Sequence, residues 1–335
     1  MESLVSVIIP NRNGAGTIGD CLAAVQASHH GNFEIIVVDD GSEDNSIEVI
    51  ERHPCKLVRL ERHGGAAKAR NAGVGSSRGR ILFFTDADCL LQPDTLALAA
   101  SMLTLEGANA IIGGTYTPVP YDQRFFSRFQ SIFINYFETR HAPAADYIAT
   151  HAFAMDAAVF RSNRGFDEHV RPILEDVEFS HRLRRAGCRL VMNPAIRVQH
   201  IFNYSLIRSL RNAFTKSLYW TGYAIGNRDL LADSGTASVG LKLNVLVFAV
   251  CACLLYGFVL TGKMILPALM ALALAFNLLV NRGLLLAYHR AEGMGFALMA
   301  TLYYLLLYPL AVGAGAGAGV LRYLWSGRPR PQENR

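Results

Sequence analysis

The sequence predicts an α/β domain with a largely parallel sheet covered by helices on both faces, followed by a C-terminal region built to meet a membrane. Three observations carry this prediction. Strand-like and helix-like segments alternate over the first 200 residues, charged residues gather where the predicted strands end, and long apolar runs begin at residue 241. Such alternation is the pattern of right-handed βαβ units.

"VSVIIP" reads as the first strand and "TIGDCLAAVQAS" as a helix with Thr17 as its cap. "FEIIVVDD" is a second strand, with the helix "NSIEVIER" behind the turn-rich "GSEDNS". "CKLVRL" is a third, and "GGAAKARNAGVGSS" reads as glycine loop, helix and exit. "ILFFT" is short and rich in aromatic and branched residues, as a strand buried on both faces should be. A helix from Pro93 to Glu106 and a fifth strand, "ANAIIGG", follow. Regularity fades between Tyr116 and Tyr147, a stretch suited to handling a second substrate. Order returns in "ILEDVEFSHRLRRAGCRLVMNPAIRVQH", read as a helix stopped at Gly187 and a strand ending at His200.

The 335 residues are 51% hydrophobic and 18% charged, too apolar for an ordinary soluble chain. The excess lies in Leu243 to Thr261, Met264 to Val280, and roughly Gly295 to Val320, each approaching or exceeding the about 20 residues that cross a bilayer. Residues 201–335 carry 12 Lys and Arg against 4 Asp and Glu, whereas the first 200 carry 20 against 23. A basic half beside apolar segments fits anionic head groups on the cytoplasmic side and argues against nucleic acid as the partner. Residues 203–225 set Arg208, Arg211 and Lys216 among Leu, Phe, Tyr and Trp, as in a helix lying in the membrane interface; a surface helix packed on a core is the other reading. "GAGAGAG" at 313–319 offers a small-residue face for helix packing.

The predicted organisation is therefore an α/β domain over 1–202, an amphipathic segment over 203–240, a region of two to three spans over 241–322, and a basic tail over 323–335. Met1-Glu2-Ser3 opens directly onto "LVSVIIP" with no basic n-region, so no signal peptide is visible. The expectation is a multi-pass protein of the inner, cytoplasmic membrane with its first domain in the cytosol. Three spans would put the four arginines of "RYLWSGRPRPQENR" outside, against the positive-inside tendency, unless one run is re-entrant or interfacial. Six irregularly spaced cysteines read as free thiols in a reducing compartment.

Chemistry concentrates at strand ends: Asp39 and Asp40, Asp86 and Asp88, Glu175 and Asp176 at a helix start, and His200. Ligands of open α/β sheets bind at the carboxyl ends of strands. Residues two apart in extended chain point to one side, so Asp86 and Asp88 can face one ligand. Their hard oxygens suit Mg²⁺ or Mn²⁺ shared with substrate phosphates; a solvated turn before the next helix is the alternative. Acids in the first turn of a helix also serve its dipole.

In this order, "VSVIIPNRN", "EIIVVDDGSEDNS", "GGAAKARNAG", "ILFFTDADC", "RGFDE" and "ILEDVEFSHRLRRAG" resemble the motif series of family 2 glycosyltransferases with the GT-A, Rossmann-like fold, over about residues 4–202. The resemblance implies sugar transfer from a nucleotide diphosphate donor with inversion. It implies donor contacts from Pro10, Arg12, Asp40, Arg70 and Asp86, a divalent ion held by Asp88 with His200 as an added ligand, and Asp176 as general base. Glu175 adjoins the base, and His151 stands where many relatives have asparagine; both fall at acceptor or sugar contacts. The Q-x-x-R-W box of processive synthases is missing, which favours addition of a single sugar.

The leading expectation is a membrane-attached, metal-dependent transferase that adds one sugar to a lipid-linked (polyprenyl) or glycolipid acceptor for a surface glycan. Transfer to polyprenyl phosphate itself, as in relatives of dolichyl-phosphate-mannose synthase, is the nearest alternative. A non-catalytic membrane component with a degenerate domain is another, opposed by the intact acid set. Transport is disfavoured because the spans hold almost no ionisable residues.

Overall fold

The computed structural model describes residues 2–169 and 173–325. The chain forms two compact units, Met1–Gln123 with Phe137–Asn203, and Arg124–Tyr136 with Tyr204–Arg335.

The first unit is built on an eight-stranded sheet. Its elements are β1 (Val5–Asn11), α1 (Ile18–Gln26), β2 (Phe33–Asp39), α2 (Ser46–Ile50), β3 (Lys56–Arg59), α3 (Ala66–Gly75), β4 (Ile81–Phe84), β5 (Cys89–Leu91), α4 (Thr95–Glu106) and β6 (Ala110–Tyr116). After α5 (Phe125–Thr139) come β7 (Phe153–Asp156), α6 (Ala157–Ser162), α7 (Glu175–Arg185) and β8 (Arg189–His200). The strand order is β3-β2-β1-β4-β7-β6-β8-β5.

The first four strands of that order run parallel, as expected. Beyond them the sheet is mixed rather than largely parallel. β7 lies antiparallel between β4 and β6, and β5 pairs antiparallel with β8. "FAMD" is buried at every position, so its side chains carry no period that would reveal a strand or its direction. Three-residue β5 is shorter than any readable pattern.

β4 is buried along its whole length, and Phe84 lies at the centre of an aromatic core with Phe153, Phe160 and Phe166 at ring separations of 5.2–5.7 Å. A fully buried phenylalanine contributes roughly 2 kcal/mol over an exposed one, so this cluster fixes the strand whose end carries Asp86 and Asp88. Three local expectations need correction. Thr17 occupies the cap position of α1, but its hydroxyl donates to the Gly14 carbonyl at 3.3 Å and caps no helical N–H. α4 starts at Thr95, because the Thr95 N–H closes a turn on the Gln92 carbonyl and leaves Pro93 outside the helix. The stretch read as irregular contains α5, an amphipathic helix of 15 residues.

The second unit holds most of α5, then α8 (Leu206–Asn227), α9 (Val239–Thr261), α10 (Ile265–Val280), α11 (Arg282–Leu306) and α12 (Tyr308–Trp325). The glycine stripe of α12 faces α8: a Cβ on Gly315 would collide with the Phe214 carbonyl, and one on Gly319 with the Leu218 carbonyl. α8 turns Ser209, Ala213, Thr221 and Ala224 inward, while Arg208, Arg211 and Lys216 stay exposed. Buried asparagines tie the helices together: Asn277 donates to Asn244 Oδ1 at 2.7 Å, Asn281 donates to Asn277 Oδ1 at 2.9 Å, and the Tyr304 hydroxyl donates to Asn281 Oδ1 at 3.0 Å.

Among the described residues two stretches, Val239–Thr261 and Arg282–Trp325, are long and apolar enough to cross a membrane, the second interrupted by non-helical Gly293. The middle apolar run, Met264 to Val280, forms α10, whose 16 residues fall short of that length. α9 leaves Leu246, Leu255, Tyr256, Val259 and Leu260 exposed. The basic tail expected from residue 323 lies outside the described residues from 326 onward.

Candidate active site

A cavity of about 520 Å³ opens at the carboxyl ends of β1, β2 and β4. Seven residues selected from sequence line it: Pro10 and Arg12 after β1, Asp40 after β2, Arg70 from α3, Asp86 and Asp88 after β4, and His200 at the end of β8. Glu175, Asp176 and His151 are not in its lining.

Each position follows from local structure. The two acids after β2 divide their work. Asp39 ties the turn, accepting from the Ser42 hydroxyl at 2.5 Å and from Asn11 Nδ2 at 3.2 Å. Asp40 faces the cavity and accepts from the Gly64 N–H at 2.7 Å, the Gly65 N–H at 2.8 Å and His63 Nδ1 at 2.8 Å. Gly65 reaches this carboxylate with φ +91°, a left-handed conformation that glycine adopts without strain. Asp86 and Asp88 occupy a turn rather than extended chain, since the Cys89 N–H bonds back to the Asp86 carbonyl at 3.1 Å. The turn still aims both carboxylates into one space.

Arg70 is buried and forks between two acids, with Nη2 2.7 Å from Asp86 Oδ1 and Nη1 2.6 Å from Glu175 Oε1. Burial opposes its charge, yet Asp86 and Glu175 outweigh that and raise its pKa. Through this fork the cavity connects to the first turn of α7. There Glu175 is held by Arg70, and Glu178 accepts from Arg182 Nε at 2.9 Å. Asp176 lies between them in sequence, accepts from the Val177 N–H at 2.8 Å, and is near enough to bear on the charge of Arg70.

His151 is buried with Nε2 3.4 Å from Glu138 Oε2, and its ring stacks on Tyr116 at 4.0 Å. Burial disfavours its charge, but Glu138 prevails and raises its pKa. His200 lies 3.4 Å from Asp88 Oδ1 and stacks on Phe202. Asp88 is pushed up to about 7, first by the protein mass around it, although 41% of its side chain is open, and then by repulsion from Asp86.

Crowded carboxylates are the setting a cation relieves, and one donor atom each from Asp88, Cys89 and His200 lies within 4.8 Å of the others. Carboxylate and imidazole donors suit Mn²⁺ or Mg²⁺, so the residues fit a divalent ion. Burial pushes the Cys89 thiol far up, which leaves it a poor ligand for such hard ions. Sequence reasoning missed His63 and the Glu138 partner of His151. The glycine pair after His63 was the available signal, because it marks a tight loop at a strand end; nothing local flagged Glu138.

Fold and cavity define a GT-A type α/β domain with an acid-rich site at the strand ends. Residues 6–163 match the family model described as Glycosyl transferase family 2. That match takes in less than half of the chain, and the curated relatives that resemble it bear glycosyltransferase names. The chain is 28% identical over 131 residues to Glycosyltransferase GlyG of Streptococcus pneumoniae, covering 38% of this chain and 44% of that protein. It is 32% identical over 115 residues to the Escherichia coli UDP-Glc:alpha-D-GlcNAc-diphosphoundecaprenol beta-1,3-glucosyltransferase WfgD, covering 33% and 46%. The chain thus spans less than half the length of these curated relatives. The mannosyltransferase PcManGT of Pyrobaculum calidifontis, solved with GDP-Man and Mn²⁺, shares the fold with a TM-score of 0.59 at 20% identity over 97% of this chain and 88% of its own.

Proposed function

We propose that the protein is a membrane-anchored, metal-dependent, inverting glycosyltransferase that moves one sugar from a nucleotide diphosphate donor to a lipid-linked acceptor at the cytoplasmic leaflet. One observation carries this reading: Asp40, Arg70, Asp86, Asp88 and His200 converge on a single cavity at the strand ends. In this reading Pro10, Arg12 and Asp40 hold the nucleoside end of the donor, and Asp86 lies nearer the ribose or sugar. Asp88 and His200 would hold a divalent ion, which when bound would supply positive charge to offset that of the departing diphosphate. Asp176 takes the proton from the acceptor hydroxyl. The acceptor oxygen then attacks the anomeric carbon from the face opposite the diphosphate as the bond to the diphosphate breaks, which inverts that centre. Asp176 stands in the first turn of α7 beside the Arg70 fork, and its charge reaches Arg70, which supports it as the base.

The apolar, exposed surface of α9 supports anchoring. The diphosphoundecaprenol in the name of WfgD supports a lipid-linked acceptor. Anchoring gives the site a high effective concentration of such an acceptor. The experiment is a donor screen with the full chain in detergent, Mn²⁺ or Mg²⁺, and lipid extract, read as nucleotide release. Turnover that needs the lipid and is lost in Asp176→Asn with donor binding retained is expected. Unchanged turnover in that variant removes the base assignment, and release indifferent to lipid removes the acceptor.

A further inference from the structure

We infer that the donor's base is read by His63, held in place by Asp40, and that this pair selects bases carrying a ring N–H beside a carbonyl. The inference rests on the transferase reading of the cavity and names the class of nucleotide that it takes. Asp40 is the acid on which base recognition would ordinarily be placed, but its side chain is only 5% exposed. Three donors already reach it: the N–H groups of Gly64 and Gly65 and the His63 ring. A carboxylate has about four lone-pair directions, so Asp40 has little left for a ligand. His63, by contrast, lines the same cavity with 47% of its side chain exposed.

The chemistry of the contact fixes what His63 offers. An ionised carboxylate can only accept, so Nδ1 must donate to Asp40. In the neutral ring that assignment makes Nε2 an acceptor, and a carboxylate on the far nitrogen both orients the ring and strengthens the acceptor. Uracil and guanine each present a ring N–H beside a carbonyl and can donate to Nε2. Cytosine and adenine present a bare ring nitrogen there, which leaves two acceptors facing each other. An unmade bond to a held acceptor costs more than a made one yields, so exclusion of the wrong base is the stronger effect.

The test titrates the full chain in detergent, with Mn²⁺ present, against UDP, GDP, CDP and ADP by calorimetry, for the wild type, His63→Phe and His63→Gln. The wild type is expected to bind UDP or GDP about ten-fold tighter than CDP and ADP. His63→Phe keeps the ring's bulk and removes both nitrogens. It should erase that preference while inorganic pyrophosphate binds as before, which certifies an intact diphosphate site. His63→Gln, whose amide can donate to Asp40 and accept from the base, should restore part of the preference. A preference that survives in His63→Phe, or a wild type that favours CDP or ADP, overturns the inference and leaves the transferase reading standing. A wild type that binds none of the four overturns the transferase reading itself.

Discussion

Arg70 and Glu175, 105 residues apart in sequence, meet at 2.6 Å, and the same guanidinium holds Asp86 at 2.7 Å. One buried cation thereby ties the turn after β4 to the helix that carries Asp176. Removing one member of a buried pair costs about 3–5 kcal/mol, because its partners stay behind uncompensated. Arg70→Met should therefore lower the unfolding free energy by several kcal/mol. Arg70→Lys, a point charge in place of a planar fork, should hold one acid and release the other. The expected result for Arg70→Lys is a folded protein whose kcat falls about ten-fold or more with donor affinity changed much less. Thermal unfolding and steady-state kinetics check the pair, and wild-type kcat in Arg70→Lys would show that the fork does not position α7.

Asp88 and His200 face each other at 3.4 Å, brought together by the pairing of Cys89 with His200 across β5 and β8. Held as the ligands of one ion, they should fail together. Asp88→Asn and His200→Ala should each weaken Mn²⁺ binding, the first by about 100-fold, since it removes a charged donor, and the second by about 10-fold. Chelator treatment of the wild type should raise the apparent affinity for added Mn²⁺ to its metal-free value and abolish nucleotide release. Calorimetric titration with Mn²⁺ reads this directly, and a wild-type affinity in Asp88→Asn would move the ion elsewhere.

The parts of this architecture legible in the sequence are those set by local pattern. β1 to β4 stood out as short apolar runs, β2 and β4 of them ended by acids, and seven of the ten residues picked as candidates do line one cavity. What escaped depends on partners distant in sequence. β7 is fully buried and has no period, and β5 exists only because β8 extends far enough to pair with it. Glu138 acquires meaning only when folding sets it beside His151 and Thr115, whose hydroxyl donates to it at 2.8 Å. Asp86 and Asp88 share a ligand space for a different reason than the expected extended chain: a turn brings them to it.

The glycine stripe of α12 lets the α8 backbone come within contact of Gly315 and Gly319. Small residues spaced by four allow such approach and let dispersion contacts hold helices together where water does not drive them. Gly315→Leu should force the pair apart and cost about 1–3 kcal/mol. Gly317→Ala, where an added Cβ meets no atom within 4 Å, should be neutral or slightly stabilising. Thermal unfolding in detergent should separate the two, and equal tolerance at 315 and 317 would contradict the packing.

Glu34 gives the first unit a pH dependence of definite sign. Its carboxylate is 13% exposed and accepts from the Ser6 hydroxyl at 2.6 Å, the Arg78 N–H at 2.6 Å and Arg78 Nε at 3.0 Å. Burial acts to raise its pKa, but the bonds from Ser6 and Arg78 outweigh it, and the folded value lies below the usual range of a glutamate. A carboxyl depressed in the folded state adds stability that is present above its unfolded pKa and is lost as pH falls through the folded one. Glu34→Gln should therefore cost about 1–2 kcal/mol near neutral pH, the value of charge-assisted hydrogen bonds. The difference from wild type should shrink steadily once the pH drops below about 4.5. Denaturant unfolding of both proteins from pH 7 to pH 3 measures that gap, and a gap that stays constant or widens in acid would rule out Glu34 as its source.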